Sequence, residues 1–352
     1  MRRGLIEWSK DELPDSVFET RIAALRKEMA AAKIDALVAY TNFTRPSAVS
    51  WLNDFIPYWS ECTLIVPLDG PMSMVSAVSP RGKPWIESVT FSENLYFTPK
   101  IAPETARILS ESLAAGATLG VVELDEVPAA VGLALKGVGA TLVDATDVFM
   151  NARAAGDAAN TALAKIAAEI AHNALAAVSA AETDGTKAVA AVDFAARAAG
   201  AEESYVAIAP DLYADTRLMR LEGPAQLGAA FALRATVAYK GTWVRMIRTI
   251  VRNDTKGAVK AGADAFAAAI AALPNLEKLG TLDSWLIETA RAAQPLDAVA
   301  GSAVPKAEAF APGALVSVQA SAVIDGIPIL VGSPVLAGSN GTAGAFLVAP
   351  TF

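Results

Sequence analysis

Apolar residues recur at intervals of three and four over residues 16 to 33, placing Phe18, Ile22, Leu25 and Met29 on one stripe of an amphipathic helix. Three short apolar runs follow, at Asp35 to Tyr40, Thr63 to Pro67 and Met72 to Val75, each the length of a strand. Leu68-Asp69-Gly70, between the last two, signals a hairpin turn. The pattern then predicts a helix from about Pro103 to Ala115, a strand at Leu119 to Leu124, a short helix over 127–136 and a strand at Thr141 to Asp144. Strands alternating with helices indicate an α/β domain that ends near residue 150.

Beyond that point the pattern changes. Ala158 to Ala181 and Lys187 to Ala199 are alanine-rich stretches of high helix propensity, with Gly185 and Gly200 placed as their C-terminal stops. Strands are expected at Tyr205 to Ala209 and, as a hairpin, over Phe231 to Thr249. Helices at Lys256 to Ala272 and Leu282 to Ala293 precede apolar strands at Leu315 to Gln319 and Ile327 to Val331. Two helices, strands, two helices, strands: the order predicts an internal pseudo-repeat within one α+β domain.

The hairpin carries the most informative charges in the chain. Tyr239-Lys240-Gly241-Thr242 supplies its turn, Gly241 being free to adopt positive φ. With an even number of loop residues, cross-strand partners have opposite parity. Arg234 and Arg245 then project from one face of the sheet, and Arg248 from the other. Like charges on neighbouring strands cost about 0.2–1 kcal/mol even when exposed. Such a pair repels divalent cations and attracts anions.

Composition narrows the function classes. Hydrophobic residues are 53% of the 352, but much of that is alanine, and no run of roughly 18 apolar residues predicts a membrane span. The charged start, Met1-Arg2-Arg3-Gly4-Leu5-Ile6-Glu7, is not that of a signal peptide. The single cysteine, Cys62, fits a reducing compartment and a small core filler, so a cytoplasmic location is expected. A net charge of −8 argues against non-specific nucleic-acid binding. With one histidine, His172, and one cysteine, every zinc motif built on paired His or Cys is excluded.

Several segments, in order, resemble the creatinase/aminopeptidase P/prolidase family. They are Ile34 to Asn42, Trp51-Leu52-Asn53-Asp54-Phe55, the helix spacing of Ala162 to Ala171, the strand pair Tyr239 to Thr249, and Pro312-Gly313-Ala314-Leu315-Val316-Ser317-Val318-Gln319. The resemblance covers nearly the whole chain. It implies an N-terminal creatinase-like α/β domain, residues 1–150, followed by a C-terminal pita-bread domain of α+β class, residues 151–352. It also implies, for the metal-dependent members, two divalent ions held by two aspartates, a histidine and two glutamates. Carried over, the aspartates fall on Arg234 and Arg245, and one glutamate on Gln319. The other falls on Leu330 or Gly332, and the histidine in a stretch, 298–311, that contains none. No metal and no cofactor are therefore expected, and no metallopeptidase activity. Creatinase itself is implied to use a histidine base in place of metal, but the corresponding loop, Ala207 to Leu221, holds no histidine, and His172 belongs to a helix.

The resemblance and the residues together suggest a metal-free pseudoenzyme whose cleft binds a small anionic or amide-bearing molecule. Arg234 and Arg245 would clamp it, with Gln319 and Tyr239 orienting the rest. A second reading is a metal-independent hydrolase or lyase acting on a C–N bond, with Asp211, Asp215 or Glu222 as base and the arginines stabilising an oxyanion. A plainer possibility stays open: the two arginines pair with those same acids as structural salt bridges. Trp243 fits either core packing or the wall of a pocket. A dimer is implied, with itself or with an active relative, in which Arg45, Tyr58 and Trp59 of one subunit reach the partner's site or else pack a loop. No nucleic-acid or membrane partner is expected.

Overall fold

The computed structural model describes residues 9–42, 47–57, 60–154, 156–271, 282, 284–289, 313–336 and 344–349. The described residues before position 155 form one compact unit and those after it a second.

In the first unit six strands, β1 (Ala36–Asn42), β2 (Glu61–Pro67), β3 (Ser73–Ser76), β4 (Asn94–Phe97), β5 (Thr118–Val121) and β6 (Thr141–Asp144), form a mixed sheet in the order β4-β3-β2-β1-β5-β6. Six helices accompany them: α1 (Asp15–Ala31), α2 (Ser47–Asn53), α3 (Lys83–Val89), α4 (Ile101–Ser112), α5 (Ala129–Lys136) and α6 (Thr146–Ala154). Phe18, Ile22, Leu25 and Met29 are all buried, as the α1 periodicity requires. One sheet face presents Ala36, Val38, Ile65, Val75, Leu119 and Val121 to Leu109 of α4 and to Val131 and Leu135 of α5. β2 and β3 are antiparallel across the expected turn, where Gly70 takes φ +101°. Cys62 is fully buried, so burial pushes its thiol pKa well up and leaves it inert.

The second unit begins with two helices, α7 (Ala158–Ala176) and α8 (Gly185–Ala198), followed by strands β7 (Glu203–Ala209), β8 (Ala230–Tyr239) and β9 (Thr242–Val251). Then come α9 (Ala258–Ala271), β10 (Ser284–Thr289), β11 (Leu315–Ile324), β12 (Ile327–Leu336) and the short β13 (Ala345–Phe346). The antiparallel sheet runs β10-β11-β12-β9-β8-β7, with β13 added beside β12. Each half is a strand plus a hairpin, and the halves meet at β9 and β12. A pseudo-repeat is thus visible in strand order, although among the described residues one helix, α9, and not the expected two, precedes the second set of strands. Helices pack on one face: α7 and α8 against Phe231, Leu233, Val237, Val244, Met246 and Ile250, and α9 against Val316, Val318, Ile329 and Val331.

Two expectations fail here. Leu282 to Ala293 was expected as a helix, yet Ser284–Thr289 is a strand whose Leu286 pairs with Gln319 of β11. A short apolar run satisfies both periods, and the open edge of β11 decides between them. Gly185 opens α8 instead of closing α7. Asp184 caps that helix by accepting from the Thr186 and Lys187 amides, and a Cβ at 185 would lie 3.1 Å from the Ala225 carbonyl oxygen.

Candidate functional site: the arginine face of the antiparallel sheet

The face of the second sheet turned away from its helices is set by register. Lys240 and Gly241 form a two-residue turn, with φ +46° and +72°, so Tyr239 pairs with Thr242. Thr236 then pairs with Arg245, and Arg234 with Ile247. The two guanidinium groups are diagonal neighbours on one face, roughly 7–8 Å apart at their origins. The row through Arg234 continues across the sheet: Ala207 on β7, Arg234 on β8, Ile247 on β9, Gly332 on β12 and Gln319 on β11. Parity within the hairpin puts Arg234 and Arg245 on this face, and the Ile247–Gly332–Gln319 pairings add Gln319.

Arg245 is 7% exposed and Gln319 6%, while Arg234 is half-buried. Arg245 Nε donates to Thr236 Oγ1 at 2.9 Å, so its cross-strand partner fixes the base of the guanidinium. Between β9 and β12 the Thr249 hydroxyl donates to the Leu330 carbonyl at 2.6 Å and accepts from its amide at 2.9 Å. That side chain stands in for ladder bonds where regular pairing reduces to Gly332 opposite Ile247. A Cβ at Gly332 would meet Ile247 Cδ1 at 3.0 Å and Gln319 Cγ at 3.2 Å, so glycine is the residue that lets these neighbours close over the strand.

Tyr239 is a correction. Its parity is that of Leu233 and Val237, and it packs with them against the helical core, on the face opposite Arg234. Arg248 also lies on the helix side. Its Nη1 donates to the carbonyls of Leu175 at 2.8 Å and Val178 at 2.9 Å, where α7 ends, and burial lowers its pKa. A cation is favoured there by the helix dipole.

Two of the three candidate bases, Asp215 and Asp211, are engaged elsewhere. Asp215 forms an exposed ion pair with Arg217 at 2.7 Å, and the hydrogen bonds from Arg217 hold its pKa down to about 2. A general base needs a pKa nearer the working pH, so Asp215 is unsuited to the role. Asp211 accepts from the Tyr213 amide at 3.0 Å in its own turn, and Glu222 is exposed. The acid that does lie on the arginine face is Glu203, 3% exposed and opposite Ala238, so the salt-bridge reading stays open.

His172 sits half-buried on α7, away from the arginine face. Arg45, Tyr58 and Trp59, and the 298–311 stretch where the resemblance puts a histidine, lie outside the described residues. Among the described residues no three His, Cys, Asp or Glu side chains gather as a metal site would require. No described helix is long and apolar enough to cross a membrane.

The sequence pattern missed two residues of this face, Tyr205 and Glu203. Tyr205, on β7, pairs with Thr236, and its ring stacks on Trp243 with centroids 5.6 Å apart and planes 9° apart. Glu203 precedes it by two and accepts from the Tyr205 hydroxyl at 3.3 Å. Tyr205 is in register with Arg245 through Thr236, and Glu203, which the strand expected from Tyr205 left out, is in register with Trp243 through Ala238.

Residues 21–155 match the model of the creatinase/prolidase N-terminal domain. The first unit is a creatinase/prolidase N-terminal domain. The whole chain has the fold of solved prolidases. It superposes on the prolidase from Pyrococcus horikoshii with a TM-score of 0.72 at 14% identity, covering 94% of this chain and 98% of that one. The Xaa-Pro dipeptidase from Bacillus anthracis gives 0.72 at 16% identity, covering 94% and 97%. The N-terminal domain of the FACT complex subunit SPT16 from Cicer arietinum shares the fold at 0.63 and 11% identity, covering 95% and 96%. No curated protein matches the chain in sequence. The second unit therefore has pita-bread architecture, and the arginines lie on the sheet face away from its helices.

Proposed function

We propose that this creatinase/prolidase-like chain is a metal-free homologue without metallopeptidase activity, whose arginine face binds a small anionic or amide-bearing molecule. The observation that carries the reading is the shared face of Arg234, Arg245 and Gln319, fixed by the Thr236–Arg245 and Gly332–Gln319 pairings. Two cations on one largely buried surface repel divalent metal ions and suit a negatively charged ligand. Planar guanidinium forks suit carboxylate or phosphate, and the Gln319 amide adds a donor and an acceptor at the far end of the row.

On this reading the protein works in the cytoplasm, as a homodimer or beside an active relative, with Arg45, Tyr58 and Trp59 offered to the partner's site. The C–N hydrolase alternative gains no support from Asp215, whose carboxylate is taken up in an exposed ion pair with Arg217.

Thermal denaturation in the presence of small carboxylates, amides and guanidino compounds tests the proposal. A carboxylate at a hundred times its Kd should stabilise the native state by about 2.7 kcal/mol. The gain should vanish in Arg234→Met and Arg245→Met while both variants stay folded. If no anion shifts the midpoint, and the substitutions change stability alone, the arginines are structural.

A further inference from the structure

Resting on the reading of this face as an anion site, we infer that it carries a second recognition element: an aromatic platform of Tyr205 and Trp243, which selects acids joined to a planar ring. Tyr205, Thr236 and Arg245 occupy one cross-strand row. Trp243 precedes Arg245 by two residues on β9 and so shares its face, roughly 7 Å along the strand. That interval is short enough for a single small molecule to place its acidic group on the guanidinium and its ring against the aromatic pair.

The platform is built and held. Ala238 lies opposite Trp243 on the intervening strand and is fully buried, and its small side chain lets the two rings meet above β8. The hydroxyl of Tyr205 is tethered to Glu203, a carboxylate only 3% exposed, which fixes the ring before any ligand arrives. Tyr205 keeps 37% of its surface exposed, so the stack is not closed by the rest of the fold. A planar π-system can extend it in the offset geometry aromatic rings prefer.

Among the described residues the other end of the face offers no stacked aromatic pair. Beyond Arg234 it is paved with Ala209, Ala230 and Ala232, and Leu212 and Leu218 pack over them. A ring carried by a bound acid is therefore directed toward Trp243. The ligand class is an aromatic carboxylate, distinguished from an aliphatic acid of the same size by stacking instead of by charge.

The experiment is calorimetric titration of benzoate, cyclohexanecarboxylate and acetate into the full chain and into Trp243→Leu, Trp243→Phe and Tyr205→Leu. Stacking beyond simple burial predicts that benzoate binds roughly 2- to 10-fold more tightly than cyclohexanecarboxylate. The preference should disappear in Trp243→Leu and Tyr205→Leu, return in Trp243→Phe, and leave acetate binding unchanged throughout. Tyr205→Leu, at a partly exposed position, keeps the test open should Trp243→Leu fail to fold. Equal binding of the two cyclic acids, or a preference that survives both leucine variants, overturns the platform while leaving the anion site intact. Failure of all three acids to bind overturns the platform and the anion reading together.

Discussion

Arg248→Met is expected to destabilise the second unit by about 3 kcal/mol while leaving anion binding untouched. Arg248 Nη1 holds two carbonyls, those of Leu175 and Val178, as α7 ends. Hydrogen bonds from a charged donor contribute about 1.5–3 kcal/mol each, and removing the donor strands acceptors in a half-buried site. Methionine keeps an unbranched apolar stem on the helix side of β9, so the loss isolates the guanidinium. For a unit of this size the midpoint should fall by roughly 6–12 °C. Denaturant unfolding followed by circular dichroism measures it, and a loss below about 1 kcal/mol would show that water replaces the arginine without cost. The contrast with Arg234→Met is the point of the experiment. Two arginines fourteen residues apart in one hairpin lie on opposite faces, one serving the fold and one proposed to serve a ligand.

A second large effect is expected at position 332, one of two places where the family resemblance would set a metal-binding glutamate. Gly332→Glu should cost about 1–3 kcal/mol through overpacking alone, because any Cβ there lies 3.0 Å from Ile247 and 3.2 Å from Gln319. Burying a new carboxylate adds to that cost unless an arginine reaches it. Reinstating one acid would therefore damage the sheet before it created a ligand, since the neighbours have closed over the space. Gly332→Glu protein that unfolds at the wild-type denaturant concentration and gains a divalent ion would refute this packing argument.

Much of this face was legible in the residues before any coordinates. The turn at Lys240-Gly241 permits a two-residue loop, and that single fact assigns Arg234, Arg245 and Arg248 to their sides. The same parity would have placed Tyr239 correctly. Judging it by nearness to the turn, and not by its alternation with Val237, put it on the wrong face. The strand at Ser284–Thr289 is hidden because the three-residue apolar run Trp285-Leu286-Ile287 carries no decisive period, and the edge it joins belongs to β11, far away in sequence. Gly185 was misjudged because a glycine between two helices can close one or open the next, and Asp184 beside it was the deciding signal. Burial of Arg245 and Gln319 was not readable at all, since it depends on what the remaining chain lays over the sheet.

The measurement that bears most directly on the exchange of carboxylate for guanidinium is the metal content of the purified chain. It is taken by mass spectrometry after dialysis against manganese and zinc and then against metal-free buffer. An anion-selective face predicts no stoichiometric metal and no stabilisation by either ion. One or two equivalents retained by the wild-type chain, and released by Gln319→Ala, would contradict it.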